Sequence, residues 1–114
     1  MDNKILGNKG ESLAYDYLKK QGLTILERNY KNKIGEIDLI CYNKKDNETC
    51  FIEVKSRSSK KFGLPCEAVN FKKQQKIRKV AELYLILHKK LVSKVRFDVL
   101  EVLGGEINYI KYAF

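Results

Sequence analysis

The chain predicts a single α/β domain in the order αβββαββ, a central mixed sheet flanked by helices. Three observations lead there. Two long segments carry apolar residues at intervals of three and four, the period of a helix packed by one face. Five short runs rich in β-branched and aromatic residues lie between and after them, separated by polar turn material. The 114 residues suffice for one hydrophobic core and are too few for two.

Leu6, Leu13, Ala14, Tyr17 and Leu18 set the period of the first helix, expected over about 5 to 21. Gly22 follows Lys19-Lys20-Gln21 as a C-terminal stop behind a basic last turn. Runs 24–30, 35–42 and 49–55 then read as three strands, most simply a meander. Ile77, Val80, Ala81, Tyr84 and His88 define a second helix, expected from near Ala68 to near Lys89. Finally, runs 95–102 and 107–112 flank Gly104-Gly105, a hairpin signal. The sole proline is Pro65, and no repeat or low-complexity linker divides the chain.

Lysine and arginine number 23 against 14 acidic residues, a net charge of +9 that favours polyanionic partners, nucleic acid first among them. The longest uninterrupted apolar run, Leu83 to Leu87, is far too short to span a bilayer, so no membrane partner is expected. The N-terminal residues lack the apolar core of a signal peptide, and residence in the cytoplasm is the expectation. Cys41, Cys50 and Cys66 form no C-x-x-C pair and lie far from the single histidine, His88, which argues against zinc and for reduced, partly buried thiols.

The chemistry-bearing residues concentrate on two strands. Alternation places Glu36, Asp38 and Ile40 on one face of the second strand, with Ile37, Leu39 and Cys41 on the other. On the third strand Phe51, Glu53 and Lys55 share a face, and the purely apolar face of Ile52 and Val54 is the one expected to pack on the core. If these strands form a hairpin with its loop near 43–48, Asp38 and Glu53 converge on one hard cation. Such a cation would polarise a phosphodiester, and Lys55 would position or deprotonate the nucleophile, a combination suited to phosphoryl hydrolysis. The bare E-x-K triplet also fits a solvated ion pair on a half-exposed strand. Glu11 falls at the border of the first helix's apolar stripe, where a carboxylate needs a partner or solvent.

Basic residues follow in two clusters. Lys55, Arg57, Lys60 and Lys61 come just after the third strand, and Lys72, Lys73, Lys76, Arg78 and Lys79 occupy the first half of the second helix. Lys72, Lys76 and Lys79 share a helix face. Clusters of this kind position nucleic acid through its phosphates, although a solvated charged face accounts equally for the helical one. Tyr30 and Phe62 have the rings to stack on bases, but core packing is the more usual use of such aromatics.

Taken together, Gly10-Glu11, Arg28-Asn29, Gly35-Glu36-Ile37-Asp38-Leu39-Ile40, Phe51-Ile52-Glu53-Val54-Lys55-Ser56-Arg57, Phe62-Gly63, Pro65, Glu67-Ala68-Val69 and Arg96-Phe97-Asp98-Val99 resemble the YraN family. The likeness runs over nearly the whole chain. It implies the restriction-endonuclease-like fold with a PD-(D/E)xK core, similar to archaeal Holliday junction resolvases. Ile37 stands where a proline often precedes the aspartate of that signature. The resemblance further implies magnesium, with manganese as a substitute, held by Asp38, Glu53, the Val54 carbonyl and Glu11. Lys55 would serve the attacking water, and Glu36 would support the ligands from behind. The substrate implied is DNA, with branched or otherwise structured DNA among the candidates, and since resolvases of similar fold act as dimers the resemblance allows a homodimer. The alternative is a noncatalytic nucleic-acid-binding module that retains the fold.

Overall fold

The computed structural model describes residues 12–57, 69–89 and 94–114. Its elements follow the expected order. The first helix, α1, is helical over 12–20 and stops at Gly22, whose φ of +85° is left-handed backbone that glycine adopts without a steric penalty. Strands β1 (Thr24–Lys31), β2 (Glu36–Asn43) and β3 (Glu48–Arg57) come next, then α2 (Phe71–Leu87), β4 (Lys94–Leu103) and β5 (Glu106–Ile110). Asn70 caps α2, its side chain accepting the Lys73 N–H at 2.9 Å. Gly104 and Gly105 both have positive φ, +58° and +87°, as a two-residue type I′ hairpin between β4 and β5 requires.

The five strands form one sheet in the order β1-β2-β3-β4-β5. Neighbours pair antiparallel except β3 and β4, which run parallel over the whole of β3, from Glu48↔Lys94 to Arg57↔Leu103. A parallel pair needs a crossover, and α2 lies in this one, covering the second face of the sheet.

That crossover corrects one expectation. The Ile52 and Val54 face does pack on a core, with Ala14 and Leu18 of α1, Leu39, Cys41, Cys50 and Leu100. The face carrying Phe51 is equally buried, against Ile77, Val80, Ala81 and Tyr84 of α2, with Phe97 stacked on Phe51 at 5.5 Å. Glu53 therefore lies on an inner face, 3 % exposed, and is not half of a solvated pair. Ile37 also departs from simple alternation, since it packs with Ile40 in the α2-side core while Leu39 and Cys41 pack on the α1 side. Tyr30 belongs to the core as well, edge-on to Tyr84 at 5.0 Å. Cys41 and Cys50 are free, buried register partners, and burial pushes both thiols up to about 12. Cys66 and Phe62 lie outside the described residues.

At the end of the sheet where β3 and β4 begin, a buried ionic network ties three elements together. Arg96 donates through Nε to Asp98 at 2.9 Å, through Nη1 to Glu48 at 3.0 Å and through Nη2 to the Tyr109 hydroxyl at 3.3 Å. The Tyr109 hydroxyl donates to Asp98, the Tyr112 hydroxyl to Glu48, and the Tyr112 N–H to Asp98 at 3.0 Å. Every oxygen of the two carboxylates thus meets a donor, the condition under which buried charges are tolerated.

Candidate functional site

At the opposite end of β3 the sheet brings two acids together. The antiparallel register Leu39↔Ile52, carried one step further, sets Asp38 opposite Glu53. Here the main-chain ladder gives way to bonds made by the side chains. The Val54 N–H donates to Asp38 Oδ2 at 2.8 Å, and the Asp38 N–H lies 3.5 Å from Glu53 Oε2. Each acid is thereby held by the other's strand. Asp38 is 9 % exposed and Glu53 3 %, so the pair sits in a setting where charge is expensive.

One cation reaches into this setting from the helix. Lys73, in the first turn of α2, places Nζ 3.2 Å from Glu53 Oε1. Even so, burial, and secondarily the charge of Asp38, push the Glu53 carboxyl up to about 7, with Lys73 only partly opposing them. Two adjacent buried carboxylates have the donor chemistry of a hard divalent cation site: oxygen ligands, negative charge and fixed orientation. The residues present fit such an ion. Among the described residues, Asp38 and Glu53 are not joined by a third His, Cys, Asp or Glu in a cluster that would close a protein-only site. Glu11, implied as a further ligand, lies outside the described residues.

Lys55 follows Glu53 on the same strand face and is half-buried. Its register partner on β4 is Glu101, 1 % exposed, on the face that β4 shares with Phe97 and Val99. Glu101 is a carboxylate that sequence reasoning missed, although the spacing Phe97, Val99, Glu101 puts it beside Lys55 once β3 and β4 are paired. Glu36 is exposed at the first position of β2 and stands outside the buried pair. Val54 meets Asp38 through its N–H.

Of the basic residues, Lys72, Lys76 and Lys79 are exposed on α2, as is Arg78, which lies over the Phe97 ring at 4.6 Å. Lys73 is distinct, since its ammonium is committed to Glu53. Lys60 and Lys61 lie outside the described residues, as does the side chain of Arg57. No acid occupies the first turn of α2, where the helix dipole would favour one, and Lys72 and Lys73 stand there instead.

The span from Gly10 to Val102, containing both acids, Lys55, α2 and most of β4, matches an uncharacterised protein family, UPF0102. The chain belongs to that family. A UPF0102 protein of Clostridioides difficile (strain 630) is 51 % identical over 116 residues, covering all of both chains. One from Caldanaerobacter subterraneus subsp. tengcongensis is 50 % identical over 102 residues, 90 % of this chain and 82 % of the relative. One from Dictyoglomus thermophilum is 46 % identical over 103 residues, 90 % and 86 % respectively. UPF0102 is the YraN family to which the motifs pointed, and the fold is compatible with the restriction-endonuclease-like architecture. No helix among the described residues is long and apolar enough to cross a membrane.

Proposed function

We propose that this UPF0102 protein is a metal-dependent endonuclease that hydrolyses phosphodiester bonds in DNA, with structured or branched DNA as the first substrates to try. The observation that carries this reading is the buried Asp38 and Glu53 pair, held by main-chain bonds across the two strands, with burial and the neighbouring Asp38 pushing Glu53 up to about 7. A magnesium or manganese ion bound there would supply Lewis-acid polarisation of a phosphate oxygen.

The chain's own residues do the rest. Asp38 and Glu53 would hold the ion, helped by the Val54 carbonyl and Glu11. Lys55, two residues along the same strand face, holds the attacking water and balances the charge that develops on the phosphate. Lys72, Lys76 and Lys79, with Arg57, Lys60 and Lys61, neutralise backbone phosphates and set the strand over the acids. The work belongs to the cytoplasm and, as resemblance to the resolvases suggests, to a homodimer.

One observation favours a second reading, a nucleic-acid-binding module without catalysis: Lys73 already meets Glu53 at 3.2 Å and supplies part of the charge a metal would bring. The two separate in one assay. Purified protein is incubated with duplex, flap, fork, four-way junction and single-stranded DNA, in Mg²⁺, in Mn²⁺ and in chelator. Cleavage of at least one substrate that depends on the metal is the expected result. Binding without cleavage anywhere on the panel would transfer the conclusion to the second reading.

A further inference from the structure

The turn between β1 and β2 is fastened to α2 beside the acids. Asn32 organises it: its Oδ1 accepts the Ile34 N–H at 2.9 Å and lies 3.4 Å from the Gly35 N–H, and its own N–H donates to the Gly35 carbonyl at 2.9 Å. The Asn32 side-chain amide then reaches across to the Val80 carbonyl of α2 at 3.2 Å. Gly35 permits the approach, because a Cβ there would lie 3.1 Å from Val80 Cγ2 and 3.2 Å from Lys76 Cε. Lys76 is one helical turn from Lys73, which touches Glu53. Acid pair, Lys73, Lys76 and turn therefore form one continuous path at one end of the sheet.

Lys33 stands in this turn, exposed, and neither it nor Lys76 forms an ion pair among the described residues. The nearest acid in the register is Glu36, opposite Lys31 rather than Lys33. Helix stability gives no reason for the cations Lys72 and Lys73 in the first turn of α2, where the dipole opposes them. A polyanion lying along the path does give one.

We propose that the β1–β2 turn is a second arm of the nucleic-acid surface, with Lys33 and Lys76 taking backbone phosphates of the strand held at Asp38 and Glu53. The inference rests on the nucleic-acid reading above and adds to it a contact the basic clusters of the sequence did not include. Lys33 precedes Asp38 by five residues, at most about 17 Å of chain at about 3.3 Å per residue. That reach corresponds to about five nucleotides of one strand at about 3.4 Å each, so the contact falls close to the scissile bond.

The test is fluorescence anisotropy with a labelled DNA duplex and a labelled four-way junction, titrated across a salt series in Ca²⁺. Wild type is compared with Lys33→Ala, Gly35→Ala and Lys45→Ala; Lys45 is exposed in the β2–β3 turn at the far end of the sheet. Lys33→Ala is expected to reduce the slope of log affinity against log salt by about 0.9, equivalent to about an eightfold loss at 0.1 M salt. Lys45→Ala should change neither. Gly35→Ala, with its thermal midpoint checked, should reproduce part of the loss with Lys33 intact; if it fails to fold, the lysine pair decides alone. Equal behaviour of Lys33→Ala and Lys45→Ala would overturn the proposal while leaving nucleic-acid binding in place. Wild-type protein that binds neither probe would overturn the nucleic-acid reading itself, and this arm with it.

Discussion

At Glu53 burial and charge conflict. Its carboxyl keeps a proton up to about 7 in the folded protein, against an ordinary value of 4.5, because burial and the neighbouring Asp38 both oppose ionisation. Between these two values the folded state binds more protons than the unfolded chain, so stability falls as pH rises from about 4.5 to 7 and levels off above. Glu53→Gln should flatten that part of the profile, measured as urea midpoints across pH; an unchanged slope would remove Glu53 as its source. Asp38 carries a different burden, since its Oδ2 satisfies the Val54 N–H at 2.8 Å. Asp38→Asn keeps an acceptor for that bond and removes the charge, whereas Asp38→Ala strands the N–H at a cost of about 1–3 kcal/mol. Calorimetric titration of Mn²⁺ into wild type and Asp38→Asn should find binding reduced at least tenfold in the variant. Equal affinity would take Asp38 out of the site.

The elements explain why the acids were visible in the sequence and their surroundings were not. A short β2–β3 loop fixes the hairpin register, and alternation then sets Asp38 against Glu53 with no knowledge of the rest of the fold. Which face is inside is a longer-range matter. It was decided by the parallel pairing of β3 with β4, which needs sequence-distant partners and brings α2 over Phe51 and Glu53. For the same reason Lys73 reads in sequence as one basic residue among several, and only helix docking commits it to Glu53. Loss of that competing ammonium in Lys73→Met should tighten Mn²⁺ binding severalfold, measured by the same titration; weaker binding would mean that Lys73 supports the metal site instead. The Glu48, Arg96 and Asp98 network was hidden too, because charged residues on a strand read as exposed until a tyrosine pair from beyond β4 covers them. Arg96→Met leaves two buried carboxylates without their cation and should cost about 3–5 kcal/mol in urea unfolding. A loss below about 1 kcal/mol would show that the network is relieved by solvent.

On the scale of the whole molecule, the sheet separates two kinds of buried charge. One end of β3 holds Glu48 with Arg96 and Asp98, where each acid has its donors and the cluster fastens strands. The other end holds Asp38 and Glu53, where Lys73 meets Glu53 and exposed lysines of α2 and the β1–β2 turn stand close by. The first arrangement is satisfied within the fold, while the second is the one proposed to take a cation and a polyanion. With a net charge of +9, the proposed binding to nucleic acid should weaken steeply as salt is added, measured as affinity across a salt series. Single-turnover cleavage of the substrate that wild type cuts best, compared between wild type and Lys55→Ala in Mg²⁺, tests the central claim most directly. Lys55 is half-buried on the strand face beyond Glu53, and under the proposed mechanism it acts in the transition state. Its loss should therefore abolish cleavage while the affinity in Ca²⁺ stays near wild type, with the folded state of the variant checked by its thermal midpoint. Cleavage by Lys55→Ala at the wild-type rate would contradict the account.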